Sequence, residues 1–283
     1  MHGQAAAPGA GTVLNALATE TGAAFAIDEE ITATVDLEPS GAITGKIVDA
    51  PEADTTLIER CVDRVVERFG DGEGGTVRTE SALPLAAGLK SSSAAANATV
   101  LATLAALGEE SACSRAEAAR IGVAAARDAG VTATGAFDDA AASMLGGLVV
   151  TDNATDDLLV RDRVHWDVLV WTPPEQAHTA AADRERCRQI ASMAEHVEDL
   201  AMAGEYGTAM TVNGLAFGAA LEFDPDPMVE AMADARGVSL SGTGPSVVAV
   251  GNRDDLEAVA ERWAQREGRT WFTTTRTRGA RVL

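Results

Sequence analysis

The chain has 283 residues, enough for one large domain or two ordinary ones, and 46% of them are hydrophobic, so a true core can form. Against 22 basic residues stand 43 acidic ones, a net charge of −21, which argues against nucleic acid and against an anionic membrane as partners. Only Lys46 and Lys90 are lysines. An acidic, lysine-poor surface suits a cytoplasm of high salt, where screening removes self-repulsion. A halophilic source is therefore expected.

Cys61, Cys113 and Cys187 are far apart and form no CxxC or Cys/His spacing. Reduced structural thiols are expected, with no zinc site. No run of 18 apolar residues appears, nor a basic start before an apolar run. The expectation is a soluble, cytoplasmic protein.

The first segment, residues 1–15, is small and Gly/Ala-rich, and Gly9-Ala10-Gly11-Thr12 leads into Val13-Leu14-Asn15. After the turn at residues 19–22, residues 23–27, 31–37 and 42–48 read as short antiparallel strands. Asn15 and Thr19 beside these strands fit either tight packing or a ligand-facing position. Helical spacing follows over residues 54–69, through Leu57, Cys61, Val62, Val65, Val66 and Phe69. A glycine-rich connection leads to a strand at residues 76–81.

The next stretch organises the chain: Ser81-Ala82-Leu83-Pro84-Leu85-Ala86-Ala87-Gly88-Leu89-Lys90-Ser91-Ser92-Ser93 runs into an alanine-rich helix that Gly108 ends. Free N–H groups and the dipole at a helix N-terminus form an anion site, and Gly88 lets a phosphate approach the backbone. Ser91, Ser92 and Ser93 offer caps, phosphate donors or a Mg²⁺ ligand. Taken alone, the stretch fits a plain helix cap equally well. It is not a Walker A loop, since Leu89 separates Gly88 from Lys90.

Ser114-Arg115-Ala116-Glu117 is a capping box that starts a helix to about Ala129. Then Thr134-Gly135-Ala136-Phe137 delivers two adjacent carboxylates, Asp138 and Asp139, to the start of another helix. Aspartate is also a common N-cap. A strand at residues 148–151 closes this half, and residues 152–157 form a polar turn and candidate boundary. The second half reads as a strand at residues 164–171, helices at 179–203, 205–221 and 228–236, and a glycine-rich loop, Ser241-Gly242-Thr243-Gly244-Pro245-Ser246. That loop can be a hairpin or can face N–H groups to a ligand. The strand at 247–250, a helix to about Glu267 and a strand at 270–278 follow. Arg276, Arg278 and Arg281 form a basic tail, read as a solvated end in preference to a carboxylate-binding site.

Three of these stretches, Pro84–Ser92, Thr134–Asp138 and Ser241–Ser246, together resemble the GHMP kinase superfamily. Gly88-Leu89-Lys90-Ser91-Ser92-Ser93, in place of the usual Gly-Leu-Gly-Ser-Ser, is similar to its archaeal shikimate kinase group. So are residues 134–140 and the opening Gly11–Ala16. The resemblance implies an α/β (α+β) fold of two domains, residues 1–155 and 156–283, the first ribosomal S5 domain 2-like and the second ferredoxin-like. It implies ATP and Mg²⁺ as cofactors and shikimate as the small-molecule substrate. ATP would lie over Pro84, Leu85, Ala86, Ala87, Gly88, Leu89, Lys90, Ser91, Ser92 and Ser93, with Ser91 or Ser92 on the metal and Asp128 as a further metal ligand. Asp138 would be the catalytic carboxylate, with Asp139 able to share its role. Asn15, Thr134, Gly135, Ser241, Gly242, Thr243 and Gly244 would complete the phosphate and substrate pocket. Several relatives place a lysine in the N-terminal motif, whereas here no Lys or Arg precedes Lys46. Another GHMP kinase such as homoserine kinase is the alternative. A nucleotide-binding module without catalysis would not need Asp138. A serine hydrolase lacks G-x-S-x-G, and His2, His165, His178 and His196 show no partner pattern.

Overall fold

A computed structural model describes residues 1–81, 88–132, 134–174 and 182–283. Pro84, Leu85, Ala86 and Ala87, expected in the nucleotide loop, lie outside the described residues.

The small-residue start of the chain is strand β1 (His2–Leu14), which pairs antiparallel with the long strand β2 (Thr21–Glu38). Residues 23–27 and 31–37, expected as two strands, are one. β1 shows no alternation because both its faces are buried over most of its length. Gly3 admits a helix at very close range: a Cβ there would stand 2.1 Å from the carbonyl oxygen of Ala102. That helix, α2 (Ser91–Leu107), is apolar on all sides and is buried between the sheet and its neighbouring helices.

Strand β3 (Ile43–Ile47) runs parallel to β4 (Gly74–Ser81), a correction to the antiparallel expectation. The link between them carries helix α1 (Thr56–Phe69), the crossover that parallel strands require. Helices α3 (Arg115–Asp128) and α4 (Phe137–Leu145) follow α2, and β5 (Leu148–Asp152) returns to pair with β2. The polar turn after β5 leads into β6 (Asp157–Asp162), which pairs only with β5 among the described strands. The order β11-β1-β2-β4-β3, with β5 and β6 branching from β2, makes a seven-stranded sheet in which β11 (Arg281–Val282) is the returning C-terminus. Arg276 and Arg281 both pair with Glu30, which ties the basic tail to β2, while Arg278 and Arg281 stay exposed as expected of a solvated end.

The second sheet holds β7 (Asp167–Thr172), β8 (Gly237–Leu240), β9 (Val247–Gly251) and β10 (Arg269–Thr274) in the order β10-β7-β9-β8, all antiparallel. Helices α5 (Arg184–Arg188), α6 (Ala191–Met202), α7 (Tyr206–Ala220) and α8 (Asp226–Ala231) connect β7 to β8, and α9 (Arg253–Trp263) connects β9 to β10. This is the ferredoxin-like order. α8 ends at Ala231, short of the expected Arg236. Along β7 the pleat sends Val168 and Val170 into the core shared with the first sheet, and Leu169 into a second core with Val238, Leu240 and Trp263. One continuous core therefore joins the two halves. The site lies where their loops meet.

Candidate active site

Helices α2 and α4 enter the same cleft by the same device. The residue before each, Lys90 (φ 64°) and Ala136 (φ 51°), is left-handed and gives no side-chain cap. The first N–H groups of a helix have no partner in its own ladder. Here the positive ends of two dipoles point at the cleft, although in α4 the Asp138 N–H is taken by Asn153. The cleft is a cavity of about 630 Å³ lined by Asn15, Gly88, Lys90, Ser91, Ser92, Ser93, Thr134, Gly135, Asp138, Asp139, Gly242 and Thr243. Its other wall is of small apolar residues from α2 and α3, among them Ala96, Gly122, Val123 and Ala126.

Asp138 is only 4% exposed. Asn153 holds it twice: Asn153 Nδ2 donates to Asp138 Oδ1 at 2.7 Å, and the Asp138 N–H donates to Asn153 Oδ1 at 3.1 Å. Its carboxylate occupies the space of a missing side chain, since a Cβ on Gly22 would sit 2.5 Å from its Cγ. Burial first, and then the charge of Asp139, push the Asp138 carboxyl up to about 7, while Lys90 and the Asn153 amide pull the other way. Asp139 is paired with Lys90, Nζ to Oδ1 2.9 Å, both side chains nearly buried. The two adjacent carboxylates are thus separated in kind, one held by an amide and one by an ammonium.

The third loop fastens the first. Ser241 Oγ donates to the Gly88 carbonyl at 2.9 Å, and the Gly242 N–H donates to Thr12 Oγ1 at 2.7 Å. Asn15 Nδ2 donates to the Gly242 carbonyl at 2.8 Å, and the Asn15 N–H donates to Asn213 Oδ1 at 2.8 Å. Gly88 is left-handed (φ 77°), and a Cβ there would stand 2.2 Å from the Ser241 carbonyl oxygen. Its glycine is therefore demanded by the packing of two loops, a different reason from the phosphate approach expected of it.

Four expected site residues are placed elsewhere. Leu89 is buried in the core, where an apolar side chain belongs, and only its carbonyl works locally, accepting from Ala10 N–H. The Ser241 hydroxyl is spent on Gly88, and Gly244 packs on Phe223, so neither lines the cavity. Asp128 turns to Arg64, Nε to Oδ2 2.7 Å, and is also outside the lining. Sequence reasoning missed Asn153 and Gly22. Asn153 sits in the Asp-rich turn expected as a boundary, and Gly22, expected in the turn at residues 19–22, stands inside β2, where a glycine marks a close approach.

The site also has the donors for a magnesium ion carried by phosphates. Such an ion takes hard oxygens, only one or two of them from protein. Asp139 Oδ1 is buried and makes no aligned hydrogen bond, although Lys90 is near, and the serine hydroxyls face the same cavity. Among the described residues no three His, Cys, Asp or Glu side chains cluster as a closed metal cage.

Residues 56–147 match the GHMP kinases N terminal domain, and residues 198–270 match the GHMP kinases C terminal domain. The structure is similar to mevalonate kinase of Methanococcus jannaschii, with a TM-score of 0.77 at 14% identity over 97% of this chain and 98% of that one. It is also similar to homoserine kinase of Cytophaga hutchinsonii, with a TM-score of 0.75 at 18% identity over 100% and 97%. The domain matches define an ATP-dependent small-molecule kinase. The sequence is 64% identical to shikimate kinase of Halobacterium salinarum over 283 residues, all of both chains. It is 49% identical to shikimate kinase of Methanosarcina mazei over 284 residues, 99% of this chain and 96% of that one. The chain belongs to the GHMP kinases and, within them, to the shikimate kinase family.

Proposed function

We propose that the protein transfers the γ-phosphate of ATP to the 3-hydroxyl of shikimate, giving shikimate 3-phosphate and ADP. The observation that carries this reading is Asp138: a buried carboxylate tuned near neutrality, facing a cavity that two helix N-termini also face. Full-length identity with the archaeal shikimate kinases supports the choice of acceptor.

Phosphoryl transfer asks for positioning and charge neutralisation more than covalent chemistry. Ser91, Ser92, Ser93 and the open N–H groups of α2 hold the phosphates, and Gly242 and Thr243 close over them. Mg²⁺, held by Ser91 or Ser92, would neutralise charge developing on the phosphates. Asp138 orients the acceptor hydroxyl and takes its proton. Asp139 keeps Lys90 beside Asp138, which supplies the positive charge that the N-terminal motif lacks. Asn15, Thr134 and Gly135 shape the acceptor end. Residues 1–155 act as the ATP-binding domain and residues 156–283 as the second domain, with β6 and β11 crossing into the first sheet. The acidic, lysine-poor composition supports work in a salt-rich cytoplasm, and among the described residues no helix is long and apolar enough to cross a membrane.

The test is a coupled ADP-release assay in high salt with shikimate, homoserine and mevalonate as acceptors. Turnover with shikimate alone is expected. Turnover only with another acceptor overturns the choice of substrate, and none with any acceptor overturns catalysis.

A further inference from the structure

Asn153 has a fully committed environment. It is 1% exposed, and its N–H donates to the Glu20 carbonyl at 2.9 Å. Its carbonyl accepts from Arg127 at 3.2 Å. Its side-chain oxygen accepts from Thr151 Oγ1 at 2.7 Å and from the Asp138 N–H at 3.1 Å. With two donors on Oδ1, the amide can face the carboxylate only with Nδ2, which donates to Asp138 Oδ1 at 2.7 Å. The orientation of this amide is dictated by the network.

The turn that carries Asn153 is itself clamped from α3. Arg127 reaches both carboxylate oxygens of Asp156 at 2.7 and 2.8 Å. Arg120 donates twice to the Asp156 carbonyl, at 3.0 and 2.8 Å. The Arg127 guanidinium also fills the place that a side chain at Gly135 would need, 2.2 Å from a Cβ there. One arginine thus fixes the turn behind Asp138 and the loop in front of it. Such a rigid second layer is what a reacting carboxylate needs to keep its geometry.

We propose that Asn153 is the positioning residue of the transfer reaction, holding Asp138 in its reactive orientation and in its charged form. This rests on the reading of Asp138 as the group that meets the acceptor hydroxyl. Asn153 does not itself line the cavity and reaches it through Asp138. A hydrogen bond to a charged group controls roughly one to two powers of ten in rate when it serves the transition state.

The experiment measures kcat, the KM for each substrate and the ATP Kd for Asn153→Ala, Asp138→Asn, their double variant and Thr151→Val. Asn153→Ala is expected to lower kcat about 10- to 100-fold, with the ATP Kd within twofold. In the Asp138→Asn background it should lower the residual rate no further, because its effect passes through a carboxylate no longer there. Thr151→Val keeps the shape and removes one of the two donors that orient the amide, the one at the shorter distance, and should lower kcat a few-fold even if Asn153→Ala fails to fold. Unchanged kcat in Thr151→Val or in a folded Asn153→Ala overturns the proposal. So does an Asn153→Ala effect of equal size with and without Asp138. Near-normal activity of Asp138→Asn overturns instead the reading on which the proposal rests.

Discussion

Lys90 and Asp139 form an ion pair of 2.9 Å that joins the first residue before α2 to the first turn of α4. One of only two lysines in the chain is therefore spent on the carboxylate next to Asp138. Removing one partner of such a nearly buried pair strands the other. Lys90→Met is expected to cost about 3 kcal/mol of stability, and the double variant Lys90→Met/Asp139→Asn should recover part of it. Chemical denaturation of the three proteins in high salt checks this. Equal stability of Lys90→Met and the parent would mean that the pair holds nothing.

Gly22 leaves room for the Asp138 carboxylate. An alanine Cβ would stand 2.5 Å from Asp138 Cγ and 2.6 Å from Oδ2, closer than real contacts allow. The carboxylate must move. Gly22→Ala should lower kcat at least tenfold and cost about 1–3 kcal/mol from overpacking, while ATP affinity is kept. Steady-state kinetics with a separate ATP titration reads both quantities, and an unaltered kcat would show that Asp138 has freedom to spare.

The Gly88–Ser241 contact makes a distinct prediction. Gly88→Ala meets both a left-handed backbone and the Ser241 carbonyl, and should destabilise the whole protein. Ser241→Ala removes one hydrogen bond to the Gly88 carbonyl and should cost only about 1 kcal/mol. Thermal melting of both variants gives the order. A Ser241→Ala loss as large as that of Gly88→Ala would point to the hydroxyl, and not the steric fit, as the main fastening.

The pH dependence follows from the same carboxylates. Asp138 is raised from an ordinary value of 3.8 to about 7 by burial and by Asp139, against Lys90 and Asn153. As a base it works when ionised, so kcat/KM for the acceptor, which reports the free enzyme, should rise with pH through about 7 and then level. The folded protein holds this proton more tightly than the unfolded chain does. Its contribution to stability is thus full below about 4 and is lost as pH rises through about 7. Asp138→Asn should remove that slope. A kcat/KM profile flat from pH 5.5 to 8 would contradict the assignment.

Salt should stabilise. With a net charge of −21, self-repulsion is strong at a Debye length of about 10 Å and weak at about 3 Å. The melting temperature should climb between 0.1 M and 1 M KCl. A fall would mean that the many arginine–carboxylate pairs outweigh the repulsion.

Much of the site was legible in the sequence because its motifs are backbone devices. Lys90, Ser91–Ser93, Asp138 and Gly242–Thr243 could be read from a glycine, a hydroxyl run and a carboxylate at a helix start, and the structure brings them to one cavity. Asn153 was not legible, because an Asp/Asn-rich turn has the same composition whether it is solvated or clamped by Arg120 and Arg127. Strand β1 was hidden for a related reason. Alternation disappears when both faces are buried, and its Ala and Gly residues answer to α2, far away in sequence. The parallel pairing of β3 and β4 was obscured because a short strand carries no mark of direction.

The fastening of Gly242 to Thr12 and Asn15, and of Ser241 to Gly88, has a consequence for any attempt to divide the molecule. The residues that set the shape of the loop before α2 come from opposite ends of the gene. A fragment ending near residue 155 would keep every serine of that loop and lose what holds Gly88 in place. Truncation would therefore abolish nucleotide binding without touching a nucleotide-binding side chain, and adding the missing half in trans should restore it.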